Sequence, residues 1–203
     1  MERVRLAVIM CVYKRLDKLP LTEEMLKNQT YKDFDFHIWN NAGEENVGGL
    51  GRFILASQLV NKYDYVIFID DDQIFEDTFI EQMVKQAKPN TIAGWYAWEN
   101  HGKYWDRTPA TDKATYVGTG GMICDINAFR HKKILNIPSQ YHFIEDLWLS
   151  FVCKYELGYR LEKANVDMRF MEGETIRDQF RTRNLKELKE EFYTYLKNEY
   201  NVI

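Results

Sequence analysis

The sequence predicts an α/β fold of three layers, a mainly parallel central sheet with helices on both faces, and three observations carry it. Apolar strand-like runs alternate with amphipathic helical stretches from the start of the chain, the order that builds β-α-β units. The first of these runs is apolar at every position from 6 to 12, as in a strand covered on both faces. The third runs straight into Asp70, Asp71 and Asp72. In an open parallel sheet the carboxyl ends of the strands face the ligand crevice, so those acids are delivered to it.

The elements follow in order. After the first strand comes the polar turn Lys14-Arg15, then a helix on which Pro20, Leu21, Met25 and Leu26 recur at helical spacing until Gln29-Thr30-Tyr31 closes it. Residues 34–40 are the second strand. Glycines 43, 48, 49 and 51 break the next stretch, and residues 52–62 place Phe53, Leu55, Ala56, Leu59 and Val60 on one helical face. Residues 65–69 are the third strand. A helix over 79–87 and a strand over 91–98 come next, and the polar, aromatic-dotted stretch 99–118 reads as loop. A strand over 116–124, a helix over 147–155 and a short strand over 160–164 complete the ordered part. Residues 184–200 repeat Leu185, Leu188, Phe192 and Leu196, an amphipathic helix expected to dock on its own domain. Without repeats, low-complexity tracts or a linker, residues 1–203 read as one domain, with 184–203 its C-terminal helix.

Composition narrows the function. With 45% hydrophobic and 15% aromatic residues in 203, the chain can bury a full core. A net charge of −4 supplies no basic field, so no nucleic-acid partner is expected. Cys11, Cys124 and Cys153 are odd in number and lack zinc spacing, which fits reduced thiols in an intracellular, cytoplasmic protein. The opening MERVRLAVIMCVY has the charge and apolar run of a signal peptide. The charged KRLDK that follows offers no cleavage site, so it reads as a strand. No run approaches the ~18 apolar residues of a membrane span.

FIDDDQIF, residues 68–75, has no lysine or arginine within five residues on either side. Carboxylates packed this closely repel one another, so a cation is expected to meet them. Hard cations such as Mn²⁺ or Mg²⁺ take one or two carboxylates and complete their shell with phosphate and water. Asp70 and Asp72, alternating on an extended backbone, would point to one side and are the candidate metal ligands. The acids would also suit the N-terminus of the following helix, although a cap needs only one. A metal on carboxylates in such a crevice implies a phosphorylated ligand. An aspartyl-phosphate phosphohydrolase would want D-x-D-x-[TV] at the first strand, whereas Ile74 follows the third. A sugar-phosphate nucleotidyltransferase would want a glycine-rich loop after the first strand, where Tyr13-Lys14-Arg15-Leu16 has no glycine. The glycines of VGGLGR, residues 47–52, lack the third glycine of a dinucleotide fingerprint.

LAVIMCVYKRLDKLPLTEEMLKNQTYKDFDFHIWNN, FIDDD, VGTGGM (117–122), HFIEDL (142–147) and GYR (158–160) occur in an order similar to that of the GT-A glycosyltransferases, over residues 4–165. Within that family the FIDDDQ and GTGGM wording most resembles the small domain that chlorella viruses encode to glycosylate their major capsid protein. The resemblance implies a GT-A (Rossmann-like) fold and a metal-dependent transfer of sugar from a UDP-sugar to a hydroxyl of a glycan or glycoprotein. The rival is a non-catalytic nucleotide-sugar or glycan-binding module. The chain departs from the family in having no histidine over 166–178, which leaves the metal to Asp70, Asp72, diphosphate and water. Asn40-Asn41 also stand where an aspartate is common.

In such a transfer diphosphate leaves from an oxocarbenium-like state, so a cation is needed on the leaving group and a carboxylate near the anomeric carbon. Asp146 or Glu145 is the candidate carboxylate, unless the pair serves only as a helix cap. The resemblance assigns Tyr13, Arg15, Asn41 and Arg52 to base, ribose and phosphate, with Asp70 or Asp71 reaching the ribose. Trp95, Trp98, Tyr104 and Trp105 are candidates to stack on sugars, although core packing is the better reading for Trp95. Arg177, Arg181 and Arg183 are candidates to close over the diphosphate.

Overall fold

Strand β1 (Leu6–Val12) buries every residue but Cys11, because it lies inside the sheet. In the computed structural model, which describes residues 4–43, 45–173 and 183–202, β1 pairs in parallel with β2 (Phe34–Asn40) on one side and β3 (Tyr65–Asp70) on the other. The six-stranded sheet continues past β3 through β9 (Met122–Asp125) and β5 (Thr91–Gly94) to β10 (Arg160–Lys163). Only β9 runs antiparallel to its neighbours. The mainly parallel sheet is as predicted.

Period-two alternation sends the strand residues to two cores. Ala7, Ile9, Val66 and Phe68 meet Phe53, Ala56 and Leu59 of α2 (Leu50–Leu59), Leu147 and Phe151 of α4 (Glu145–Phe151), and Phe192 and Leu196 of α5 (Leu185–Glu199). Val8, Met10, Ile67 and Ile69 meet Leu26 of α1 (Leu19–Asn28) and Phe79, Ile80 and Met83 of α3 (Phe79–Val84). The Phe192 ring stacks on Tyr141 at 3.9 Å, which seats α5 against the core. None of the three cysteines is in a disulfide. Among the described residues no helix is long and apolar enough to cross a membrane.

The middle of the chain departs from its sequence reading. Residues 99–118 are not a loop throughout: β6 (Ala97–Asn100), β7 (Arg107–Pro109) and β8 (Tyr116–Val117) form a small antiparallel sheet in the order β7-β6-β8. The strand expected over 91–98 splits into β5 and β6. The one expected over 116–124 splits into β8 and β9 around Gly121, whose φ of +72° favours glycine. Such two- to four-residue strands are too short to show an alternation of their own. β4 (Gln73–Phe75) pairs with β11 (Met168–Phe170), likewise unforeseen. α4 begins two residues before the expected start and passes into a π-helical turn, Val152–Glu156. α3 ends at Val84, short of the expected 87.

Candidate functional site

β3 ends on Asp70, and Asp71 and Asp72 form the turn into β4. The expected alternation of Asp70 and Asp72 along an extended strand is therefore replaced by a turn, which still leaves both facing one crevice. The counter-charges missing nearby in sequence arrive from two other elements. Arg15, in the turn after β1, donates from Nη1 to Asp71 Oδ1 at 2.8 Å and lies 3.5 Å from Asp72 Oδ2. Arg52, in the first turn of α2, places Nη1 2.8 Å from Asp70 Oδ1. Arg15 is 7% exposed and Arg52 6%, so neither is a solvated surface residue. The Arg52 contact is an ion pair without hydrogen-bond alignment, and its Nε and Nη1 have no aligned acceptor among the described residues. Burial alone would weaken the Arg52 charge, but Asp70, Cys11 and Glu145 outweigh it and hold the guanidinium firmly protonated. Burial raises the Asp71 carboxyl above its ordinary value against the pull of Arg15.

Two glycines make this packing possible. A Cβ on Gly120 would stand 2.2 Å from Asp70 Oδ2, and one on Gly49 would stand 1.8 Å from Glu145 Oε1. Both carboxylates lie flush on backbone that no other residue could supply without displacement.

A small cavity of about 240 Å³ opens beside the strand ends. Its lining includes Tyr13, Arg15, Asn41, Arg52, Asp70 and Asp71, all six residues assigned to the nucleotide from sequence, together with Asp72, Glu145 and Asp146. Asn41 is largely committed within the chain: Oδ1 accepts from Trp39 Nε1 and Val47 N, and Nδ2 donates to Gly48 O at 3.0 Å. It ties down the glycine loop that forms one wall.

A second cavity of about 560 Å³ adjoins it, lined by Tyr96, Tyr104, Trp105, Arg107, Tyr116 and Phe170 among others. Arg15, Asp70, Asp72, Thr119, Asp146 and Lys189 line both. Of the aromatics predicted to meet sugars, Tyr104 and Trp105 line it. Trp95 and Trp98 do not. Trp95 packs edge-on against Phe170 at 5.1 Å, and Trp98 lies under the Arg107 guanidinium at 4.4 Å.

The two acids that open α4 have different surroundings. Glu145 is buried, accepts from Thr119 Oγ1 at 3.4 Å and lies 3.8 Å from Arg52 Nε. Burial, opposed by Arg52, pushes its carboxyl up to about 7. Asp146 accepts at Oδ2 from Lys189 Nζ at 2.9 Å and from the Tyr116 hydroxyl, and at Oδ1 from the Leu147 N–H at 2.8 Å. Lys189, Tyr116 and Arg107 escaped sequence reading. Only Lys189 left a signal, a lysine on the apolar stripe of Leu185, Phe192 and Leu196. Arg183 stacks on Phe143 at 3.6 Å. Arg177 and Arg181 lie outside the described residues.

Among the described residues no group of three or more His, Cys, Asp or Glu is arranged around a metal position. The side chains of Asp70 and Asp72 are 31% and 26% exposed and open on the same two cavities. Two accessible oxygen donors with phosphate-sized space beside them fit a hard divalent cation that draws its other ligands from diphosphate and water.

No family model and no curated protein matches the chain. Solved structures do. S. aureus TarS superposes with a TM-score of 0.59 and 11% identity, over 84% of this chain and 37% of that one. GalNAc-T7, in a crystal structure with UDP, GalNAc and Mn²⁺, gives 0.60 and 10%, over 84% and 44%. The mannosyltransferase PcManGT from Pyrobaculum calidifontis, in complex with GDP-Man and Mn²⁺, gives 0.63 and 12%, over 97% and 65%. The chain spans less than two thirds of each of those proteins. All three are GT-A-type glycosyltransferases, and the six-stranded sheet with its helices on both faces is the GT-A fold.

Proposed function

We propose that this chain is a metal-dependent glycosyltransferase that moves a sugar from a UDP-sugar to a hydroxyl of a glycan or glycoprotein acceptor. The observation that carries the reading is the wall shared by the two cavities. Asp70, Asp72 and Asp146 stand between a polar cavity ringed by Tyr13, Arg15 and Arg52 and a larger one lined by aromatic rings. That is the arrangement needed to bring a charged donor and a sugar acceptor to one point. The nucleotide-sugar ligands and Mn²⁺ in two of the similar structures support it. The choice of UDP over GDP rests on the motif resemblance, as does kinship with the chlorella-virus domain. The single domain over 1–203 and a cytoplasmic location belong to the same proposal, the latter resting on the free thiols.

Arg15 and Arg52 hold the diphosphate, and Asp70 or Asp71 meets the ribose. Asp70 and Asp72 hold Mn²⁺ or Mg²⁺, which when bound neutralises charge on the leaving diphosphate. Asp146 is preferred to Glu145 as the base because it lines both cavities, whereas Glu145 lines only the smaller one and lies folded against Gly49. The acceptor hydroxyl enters from the aromatic side and gives its proton to Asp146. Its oxygen bonds to the anomeric carbon as the bond from that carbon to the diphosphate oxygen breaks. Trp105, 39% exposed, offers a flat apolar face to the acceptor, and the buried Tyr104 ring packs behind it.

The test is release of UDP from a panel of UDP-sugars with Mn²⁺ or EDTA, on wild type and Asp146→Asn. Metal-dependent release is expected, with kcat lowered by roughly 10² to 10⁴ in the variant and UDP affinity unchanged. Binding of UDP-sugars without release of UDP from any donor would establish the non-catalytic module instead.

A further inference from the structure

We infer that the C-terminal helix α5 is part of the catalytic apparatus, with Lys189 as the positioning residue that holds Asp146 for proton transfer. The inference rests on the reading of Asp146 as the base. Lys189 is 8% exposed, and lysines are rarely so buried unless paired. Its ammonium lies 2.9 Å and 3.3 Å from the two Asp146 oxygens and 3.2 Å from the Tyr116 hydroxyl oxygen. An ammonium has three protons to donate, and these contacts use them. It also stands 5.4 Å from the centres of the Tyr104 and Tyr116 rings, both in the wall of the larger cavity.

The helix that carries Lys189 is fastened on both sides of it. The Trp105 indole donates to Lys186 O at 3.0 Å, the Tyr141 hydroxyl donates to Glu191 at 2.9 Å, and Phe192 stacks on Tyr141. Lys189 is therefore placed by packing far from α4 in sequence. A carboxylate on an N-terminal helical turn has rotational freedom of its own. With Lys189 and Tyr116 on Oδ2 and the Leu147 N–H on Oδ1, that freedom is removed. In the reaction the acceptor's proton passes to the carboxylate while Lys189 and Tyr116 keep theirs. The ammonium holds the carboxylate in place and is not itself consumed.

The test uses the whole chain, UDP release with Mn²⁺, calorimetry with UDP, and the variants Lys189→Met, Lys189→Arg, Asp146→Asn and the double variant Asp146→Asn/Lys189→Met. Lys189→Met keeps the length of the stem and should lower kcat about 10²-fold, the cost of a misplaced catalytic group, with UDP affinity unchanged. Lys189→Arg, which keeps the charge, should recover most of the rate. Because Lys189 acts through Asp146, the double variant should be no slower than Asp146→Asn alone. That comparison also holds if Lys189→Met does not fold, since the double variant leaves no unpaired buried charge. Wild-type kcat in Lys189→Met, or a double variant slower than Asp146→Asn by a further 10²-fold or so, overturns the inference while the base reading stands. Full turnover in Asp146→Asn overturns both.

Discussion

The two adjoining cavities are built in opposite ways. The smaller draws its walls from the ends of β1 and β3, the turn after β1, the start of α2 and the start of α4, and every charge in it faces an opposite one: Asp70 with Arg52, Asp71 with Arg15. The larger shares the Lys189–Asp146 and Arg15–Asp72 pairs with it and takes its remaining walls from the small β7-β6-β8 sheet and β11, where rings predominate. Its Arg107 is held against Trp98 and Tyr104 and donates to the Tyr96 hydroxyl at 3.0 Å. One cavity is organised mainly by electrostatics at strand ends, the other mainly by aromatic packing on short strands. Charge-organised walls suit a diphosphate, which varies little between donors. Ring-organised walls suit an acceptor, whose identity is set by shape.

If that contrast holds, the largest effect falls on the charged side. Asp72→Ala should reduce UDP affinity in Mn²⁺ to the value found for wild type in EDTA, read by calorimetry. An affinity still raised by metal would remove Asp72 from the ligand set. A second effect separates Glu145 from Asp146. The Glu145 carboxyl is raised from 4.5 to about 7, so between those values the folded chain keeps a proton that the unfolded chain releases. The stability it contributes is fully present below about pH 4.5 and is lost as pH rises through about 7, a decline on the order of 3 kcal/mol. Glu145→Gln cannot titrate and should flatten that part of the curve, measured by urea unfolding from pH 4 to 8. An unchanged decline would place the titration elsewhere. The smallest effect belongs to the aromatic side. Trp105→Ala should weaken acceptor binding by about 1 kcal/mol, roughly fivefold in acceptor KM, with donor affinity unchanged. A loss of donor affinity instead would erase the distinction between the cavities.

The same contrast governs what was legible in the chain. β1 and β2 lie where the pattern of apolar residues places them, and β3 runs one residue further, because a strand covered on both faces must be apolar along its length. Five of the six nucleotide candidates meet in one cavity because each is tied to a strand end or its neighbouring turn, and a parallel sheet brings such positions together; the sixth, Arg52, reaches it from the first turn of α2. The aromatic cavity was not legible in this way. Tyr104 and Trp105 were singled out by composition, but so were Trp95 and Trp98, which face elsewhere. Strands of two to four residues do not show on which side a ring falls.

By itself the sequence determined the layered fold, the carboxyl-end position of Asp70 to Asp72 and the acidic start of α4, since all three follow from local periodicity and from where strands must end. The tertiary structure alone decided the partners. Arg15 lies 56 residues from Asp71 and Lys189 lies 43 from Asp146. Nothing in local sequence marks which distant charge will be buried against which acid. Burial then made that choice consequential: carboxylates and their partners withdrawn from water must be matched closely in space, and only the packed chain brings such distant residues within 3 Å of one another.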